Sequence, residues 1–245
     1  MRLGRRPFVA CAGLALLPFA PRAAAETLVQ GSGVAATQRR DIGAFVGVGL
    51  GAPFAVVLRA GAREAVEIVA DDNILALVQT RVEGAGGGRS LQIDLSRGAR
   101  IEPRTPVVVT IDYVRLEHLA VGGSGSIAAR SMKASRLDAA IGGTGKIDLG
   151  DLDAGNLSVA IGGSGSFRAD GNARTLSVTL GGSGRCDAER LIAGDVSVSV
   201  AGSGDTRVRA ETRLRASIAG SGSVYHSGTA APEVAIVGSG RVRRL

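Results

Sequence analysis

The chain has 245 residues, 45 % of them apolar and only 3 % aromatic, with 37 glycines, two cysteines and no tryptophan. Its 29 Lys and Arg outnumber 22 Asp and Glu, for a net charge of +7. That length suits one repeat domain, and abundant Gly, Ala and Val with so few aromatics fits narrow coils better than a thick sandwich core.

The first residues read as an address. Met1 to Arg6 carries three arginines, an apolar run follows from Phe8 to Ala20, and Ala23-Ala24-Ala25 offers a small-residue cleavage site before Glu26. Arg5-Arg6-Pro7-Phe8-Val9 resembles a twin-arginine export signal, and an ordinary secretory signal with a basic start fits equally well. The run is short and broken by Pro18 and Pro21, which disfavours an uncleaved transmembrane anchor. Removal of residues 1–25 takes four of the 29 cations and none of the 22 acids, leaving +3. No Lys/Arg cluster interleaved with aromatics then remains, so nucleic acid is not an expected partner. One cysteine, Cys186, survives, and no intrachain disulfide is expected in spite of an oxidising destination.

The mature chain is expected to form a single domain over residues 26–245, with irregular rungs or a cap over 26–117 and regular repeats over 118–245. In the first part, Val46, Val48 and Leu50 alternate with polar or small residues. So do Phe54, Val56 and Leu58, then Val66 and Ile68, then Leu91, Ile93 and Leu95, then Val107, Val109 and Ile111. Glycines and Pro103/Pro106 separate these strands. Gly31-Ser32-Gly33 looks like an early copy of the later corner, and Asp71-Asp72-Asn73 before Ile74-Leu75 predicts an N-capped helical turn.

From residue 118 a four-residue corner recurs: Gly122-Gly123-Ser124-Gly125, then its counterparts starting at Gly142, Gly162, Gly181, Ala201, Ala219 and Val237. Counted on the second position, the steps are 20, 20, 19, 20, 18 and 18 residues. A fixed period near that length marks a stacked repeat whose units cannot bury their apolar faces alone. Before the corner stand two apolar columns, Val121, Ile141, Ile161, Leu180, Val200, Ile218 and Ile236, and Leu119, Ala139, Val159, Val178, Val198, Ala216 and Val234. After it a third column reads Ile127, Ile147, Phe167, Cys186, Thr206, Val224 and Val242. Alternation with β-branched residues makes each segment a strand with one buried face, and the columns require parallel, in-register rungs. The fold class is therefore all-β, a parallel β-solenoid with rungs of 18–20 residues.

Val29-Gln30-Gly31-Ser32-Gly33, the stretch 41–58 ending in Gly51-Ala52-Pro53-Phe54-Ala55-Val56, Asp71-Asp72-Asn73-Ile74-Leu75, and the Gly-Ser-Gly series together resemble the auto-transporter adhesin head family, the head-GIN domain. The resemblance runs over nearly the whole mature chain. It implies a right-handed solenoid in an exported protein of the periplasm or cell surface of a Gram-negative bacterium, and it brings no catalytic residues to carry over.

The candidate sites are weighed against plain structural roles. The glycine corners are flanked by strands on both sides, unlike a dinucleotide cradle, which opens a helix. Where calcium-binding repeats hold aspartate, the chain has Ile127, Ile147, Phe167 and Cys186. The corner glycines are expected to supply positive φ, and the hydroxyls of Ser124 and its counterparts to stack as a ladder. Three residues after the corner, Asp148, Arg168, Asp187 and Arg207 alternate in sign, which reads as register control. Cys186 reads as a buried structural thiol. Arg241, Arg243 and Arg244 read as charges guarding the last strand. His118 and His226 are far apart in the rung order, and Asp148, Asp151 and Asp153 with Lys146 form the nearest approach to a catalytic cluster.

No cofactor or metal is expected. The leading expectation is a non-enzymatic envelope protein; the alternative is a polysaccharide lyase or hydrolase on the same scaffold. The candidate binding face is the outward side of the approach strand: Ala140, Ser158, Ala160, Ser177, Thr179, Ser197 and Ser199. It is small and almost uncharged, and either an envelope protein or a polysaccharide fits it as partner. The competing explanation is that Ala and Ser simply suit tight stacking.

Overall fold

The structure, a computed structural model, describes residues 27–245; the export signal expected over residues 1–25 lies outside the described residues. The N-terminal part holds β1 (Thr27–Gln30), β2 (Ala35–Arg40), β3 (Gly47–Leu50), β4 (Ala55–Ala60), β5 (Ala65–Asp71), the helical turn α1 (Asp72–Leu75), β6 (Val78–Glu83), β7 (Ser90–Leu95), β8 (Ala99–Glu102) and β9 (Val108–Tyr113). The repeats hold β10 (His118–Val121), β11 (Ser126–Ala129), β12 (Met132–Ile141), β13 (Lys146–Ile161), β14 (Ser166–Leu180), β15 (Arg185–Gly202), β16 (Asp205–Gly220), β17 (Ser223–Ser227), β18 (Pro232–Gly238) and β19 (Arg241–Arg244).

From β10 onward the chain winds as a three-sided β-solenoid. Side I is the approach strand (residues 137–141 in β12), the glycine corner turns it into side II (146–149 in β13), and a looser bend leads to side III (152–154). Each column pairs as expected. Leu119, Ala139, Val159, Val178, Val198, Ala216 and Val234 follow one another in parallel register, as do Val121 to Ile236 and Ile127 to Val242. The inward members are 0–3 % exposed through Ile218. Fully burying one such Val, Leu or Ile stabilises by about 1.5–3 kcal/mol, and each coil adds smaller buried Ala residues beside them, which together offset part of its ordering entropy. In the last coil Val234 and Ile236 are still 46 % and 42 % exposed.

The corner works differently from the expectation. In its first four copies no glycine has positive φ; only Gly202, Gly220 and Gly238 do. What the last glycine of each copy provides is space. A Cβ on Gly145 would strike Val121 Cγ1 and the Gly125 carbonyl of the preceding rung, and Gly165, Gly184, Gly204, Gly222 and Gly240 repeat that situation. The first position faces open space at Gly122, Gly142 and Gly162, which explains why it relaxes to Ala201, Ala219 and Val237. Rungs are joined through the corner backbone, as in Thr144 N–H to Gly123 O at 3.2 Å and Ser164 N–H to Gly143 O at 3.1 Å. The corner hydroxyls are exposed and, among the described residues, make no side-chain hydrogen bond, so the expected hydroxyl ladder does not form.

All variation in period is absorbed elsewhere. The register shifts fall between Leu149 and Leu152, between Arg168 and Gly171, and between Ala188 and Asp195, in the bends around side III. Asp151, in the first of these bends, is the one non-glycine with positive φ among the described residues (φ 42°).

The N-terminal part extends and then closes the coil. β3 and β4 continue sides I and II in parallel register beneath β10 and β11, and β7 and β9 lie beneath them. Antiparallel β6 then covers β7, antiparallel β5 covers β9, and β2 pairs with β5. The predicted early corner, Gly31-Ser32-Gly33, does not stack on the others. It is tied instead to the α1 loop: Ser32 N–H donates to Asn73 Oδ1 (3.0 Å) and Asn73 Nδ2 to Gln30 O (2.7 Å). The helical turn exists, but its N-cap residue Asp71 makes no cap hydrogen bond. That carboxylate is fully buried and accepts from Arg104 N–H (2.8 Å), Thr105 N–H (3.2 Å) and Gly33 N–H (3.1 Å). Burial alone would push the Asp71 carboxyl up; the Thr105, Arg104 and Gly33 donors outweigh it and hold the group below its ordinary value.

Candidate functional site

The outward face of side I is built by the same alternation that builds the core. Because successive side chains leave a strand on opposite faces, the residues between the buried columns point to solvent. One outward column runs Gly49, Ala120, Ala140, Ala160, Thr179, Ser199, Ser217 and Ala235. The next runs Gly47, His118, Asp138, Ser158, Ser177, Ser197, Arg215 and Glu233. All seven candidate residues, Ala140, Ser158, Ala160, Ser177, Thr179, Ser197 and Ser199, are exposed and lie side by side on adjacent rungs. At about 4.8 Å per rung, the seven repeats span about 30 Å.

Ion pairs bound this uncharged field at both ends. At one end His118 Nδ1 lies 3.4 Å and Arg136 Nε 3.0 Å from Asp138 Oδ2. At the other, Arg215 Nε lies 2.8 Å from Glu233 Oε2. Beside that second pair is a hollow of about 390 Å³ lined by Ser197, Ser199, Arg215, Ser217, Glu233 and Ala235. Glu233 was not among the expected residues; its signal was the one-rung offset from Arg215. Under the cap the face is closed, since Gln92 lies where a Cβ on Gly49 would stand.

The other candidates are not brought together. Asp148, Arg168, Asp187 and Arg207 share a column as predicted, but no pair among them comes within 4.0 Å, and Arg207 instead sits 5.4 Å over the Tyr225 ring. Asp148 lies on side II and Asp153 on side III, where Lys133 Nζ is 3.9 Å away. Asp151 sits in the bend between, taking Ser131 Oγ at 3.0 Å. Among the described residues no three His, Cys, Asp or Glu are placed to hold a metal ion. Cys186 is fully buried, and burial, aided by the charge of Asp187, pushes its thiol up to about 12. His226 is buried, with Nδ1 unpartnered among the described residues, and burial, then the charge of Arg244, holds it below its ordinary value.

A family profile described as "Putative auto-transporter adhesin, head GIN domain" matches residues 44–230. The chain belongs to this family. Solved structures share its fold. A protein of Bacteroides fragilis described as a putative adhesin superposes with a TM-score of 0.80 at 22 % identity, covering 89 % of this chain and 100 % of its own. Two proteins of Parabacteroides distasonis, one described as a putative lipid binding protein and one as a putative adhesin, give 0.72 and 0.69 at 22 % identity over the same shares. No curated protein matches. Membership of the head-GIN family points to an exported or surface protein, and among the described residues no helix is long and apolar enough to cross a membrane.

Proposed function

We propose that this head-GIN protein is a non-enzymatic module of the cell envelope whose side I face is a contact surface for another envelope protein or for a polysaccharide. The observation that carries the reading is the field of Ala, Ser and Thr, exposed and in register across the coils and bounded at both ends by ion pairs. An ordinary solvated β-face is guarded by Lys and Glu. A face of Ala, Ser and Thr loses little side-chain entropy on docking, because these side chains have few rotamers to surrender. Likeness to proteins described as adhesins supports a binding role. A glycosidase needs carboxylates converging on one groove, and Asp148, Asp151 and Asp153 are spread over two sides and a bend.

Ala160→Lys, Thr179→Lys and Ser199→Lys introduced together test the reading. Circular dichroism and melting temperature check that the variant is folded. Its co-sedimentation with envelopes, its self-association by analytical ultracentrifugation and its binding to a glycan array are then compared with the native protein. Loss of any one identifies the class of partner; if all three are unchanged, the face is inert.

A further inference from the structure

The charges on side I follow an order that no single coil requires. In one outward column, His118 and Asp138 stand on the first two rungs of the repeats and Arg215 and Glu233 on the last two. Ser158, Ser177 and Ser197 fill the rungs between. Reversed end for end, this column complements itself. Glu233 falls opposite His118, which answers it as a donor; Arg215 falls opposite Asp138, Ser197 opposite Ser158, and Ser177 opposite itself.

Size is graded along the same face. The first corner position is Gly122, Gly142 and Gly162 at one end and Ala201, Ala219 and Val237 at the other. A Cβ on any of those three glycines would meet nothing within 4 Å, whereas Val237 projects with 77 % of its surface exposed. The same reversal sets Val237 into the space before Gly122, Ala219 before Gly142 and Ala201 before Gly162. Between the two positions, every outward residue from Ala120 to Ala235 is Ala, Ser or Thr, so nothing bulky holds the faces apart. Small residues alone name no occupant; the order of charge and size does.

We propose that side I docks on side I of a second copy of this chain, turned end over end about a two-fold axis that runs along the strand through Ser177 and Thr179. The inference rests on the reading of side I as a contact surface and names its occupant. Such an interface is isologous, so each complementary contact occurs twice. At each end His118 and Asp138 of one copy meet Glu233 and Arg215 of the other, and every charge has an opposite across the interface as well as beside it. With the coils running the same way instead, the charged column would face the column of Ala120 and Ala235, and both ends would go unanswered. The turn also brings Arg136 toward Arg213 at the rim, but Asp138 holds the first at 3.0 Å and Asp195 stands in register beside the second. A sugar ring would find no Phe, Tyr or Trp in either outward column to stack on. Side I is about 16 Å across its five residues and about 30 Å along its seven rungs. The pair therefore buries about 1,000 Å², the lower limit for a specific contact, and the dimer is weak and reversible.

Sedimentation equilibrium of the purified protein over a concentration series tests it. The native chain should pass from monomer to dimer in the micromolar range. Asp138→Arg or Arg215→Glu alone sets like charges opposite each other at both ends of the interface, and each should weaken the dimer about tenfold or more. An equimolar mixture of the two variants should regain the native affinity, because each end of a mixed dimer again joins one base to one acid. Melting temperatures check the fold of each variant; where a reversal lowers them, Asp138→Asn and Arg215→Gln should still weaken the dimer several-fold. A native chain that stays monomeric at millimolar concentration, single variants that associate like the native protein, or a mixture that recovers nothing would overturn the inference. If the native chain is monomeric while the three lysines at 160, 179 and 199 still abolish envelope or glycan binding, side I remains the contact surface and only the second copy is excluded. If those lysines change nothing, both readings fall.

Discussion

The corner glycines show how one residue type serves two needs that look identical in a sequence. Glycine is selected either by positive φ or by the absence of a Cβ. Repetition alone cannot separate these, and the expectation of positive φ holds only for Gly202, Gly220 and Gly238. The distinction has a measurable consequence within a single corner. A Cβ on Gly162 meets nothing within 4 Å, whereas one on Gly165 would stand 2.5 Å from both Gly145 O and Ile141 Cγ2. Gly162→Ala should therefore leave stability within about 0.5 kcal/mol. Gly165→Ala must push two rungs apart and should cost roughly 1–3 kcal/mol, the usual range for overpacking. Urea denaturation of the two variants measures both, and equal effects would mean that the corner relaxes freely.

At the scale of the rung, the alternating columns were legible because one face of each strand is buried and the other is not. That is also why β1 and β2 escaped notice. β1 is exposed at three of its four positions and β2 at four of six, so neither carries the alternation that betrays a strand. The charge column lies in register as expected, and its members form no ion pair with one another among the described residues. Asp148, Arg168, Asp187 and Arg207 follow one another on side II; Asp148 and Arg168 are exposed, Asp187 and Arg207 half-buried, and Arg207 lies over the Tyr225 ring. Such a column stabilises little in its native form and acts mainly against wrong registers. Arg168→Ala should accordingly be nearly neutral. Arg168→Asp sets three carboxylates on consecutive rungs about 4.8 Å apart and should cost roughly 1 kcal/mol, or about 2–4 °C in melting temperature. Added salt should recover most of that difference by screening. If the two variants melt together, the alternation of sign is incidental.

Over the whole molecule the solenoid raises an edge problem that its own repeats cannot solve, since every coil offers unpaired strands to the next. Antiparallel β5 and β6 cover that edge on sides I and II, and side III is left with a gap beside Met132. A cap within residues 26–117 was expected, but which of its strands turn back was not legible: β6 folds onto its sequence neighbour β7, whereas β5 pairs with the distant β9, and strand alternation looks the same in both. One carboxylate ties three segments of the cap together. Asp71 joins the turn after β1, the end of β5 and the loop before β9, and a Cβ on Gly31 would run into its Oδ2. Its folded-state acidity is stronger than that of an unfolded aspartate, whose value is about 3.9. The stabilisation it provides is therefore complete above that pH and is lost as the pH falls through the lower folded value. Asp71→Asn presents an amide N–H₂ or a neutral oxygen to three backbone donors, so it should loosen the cap at neutral pH and remove this part of the acid dependence. Hydrogen exchange read by mass spectrometry should show faster exchange in residues 28–34 and 103–107 of the variant, with residues 157–200 unchanged. Uniform acceleration along the chain would show instead that cap and coils open as one unit, and that the carboxylate fastens the whole stack rather than its end.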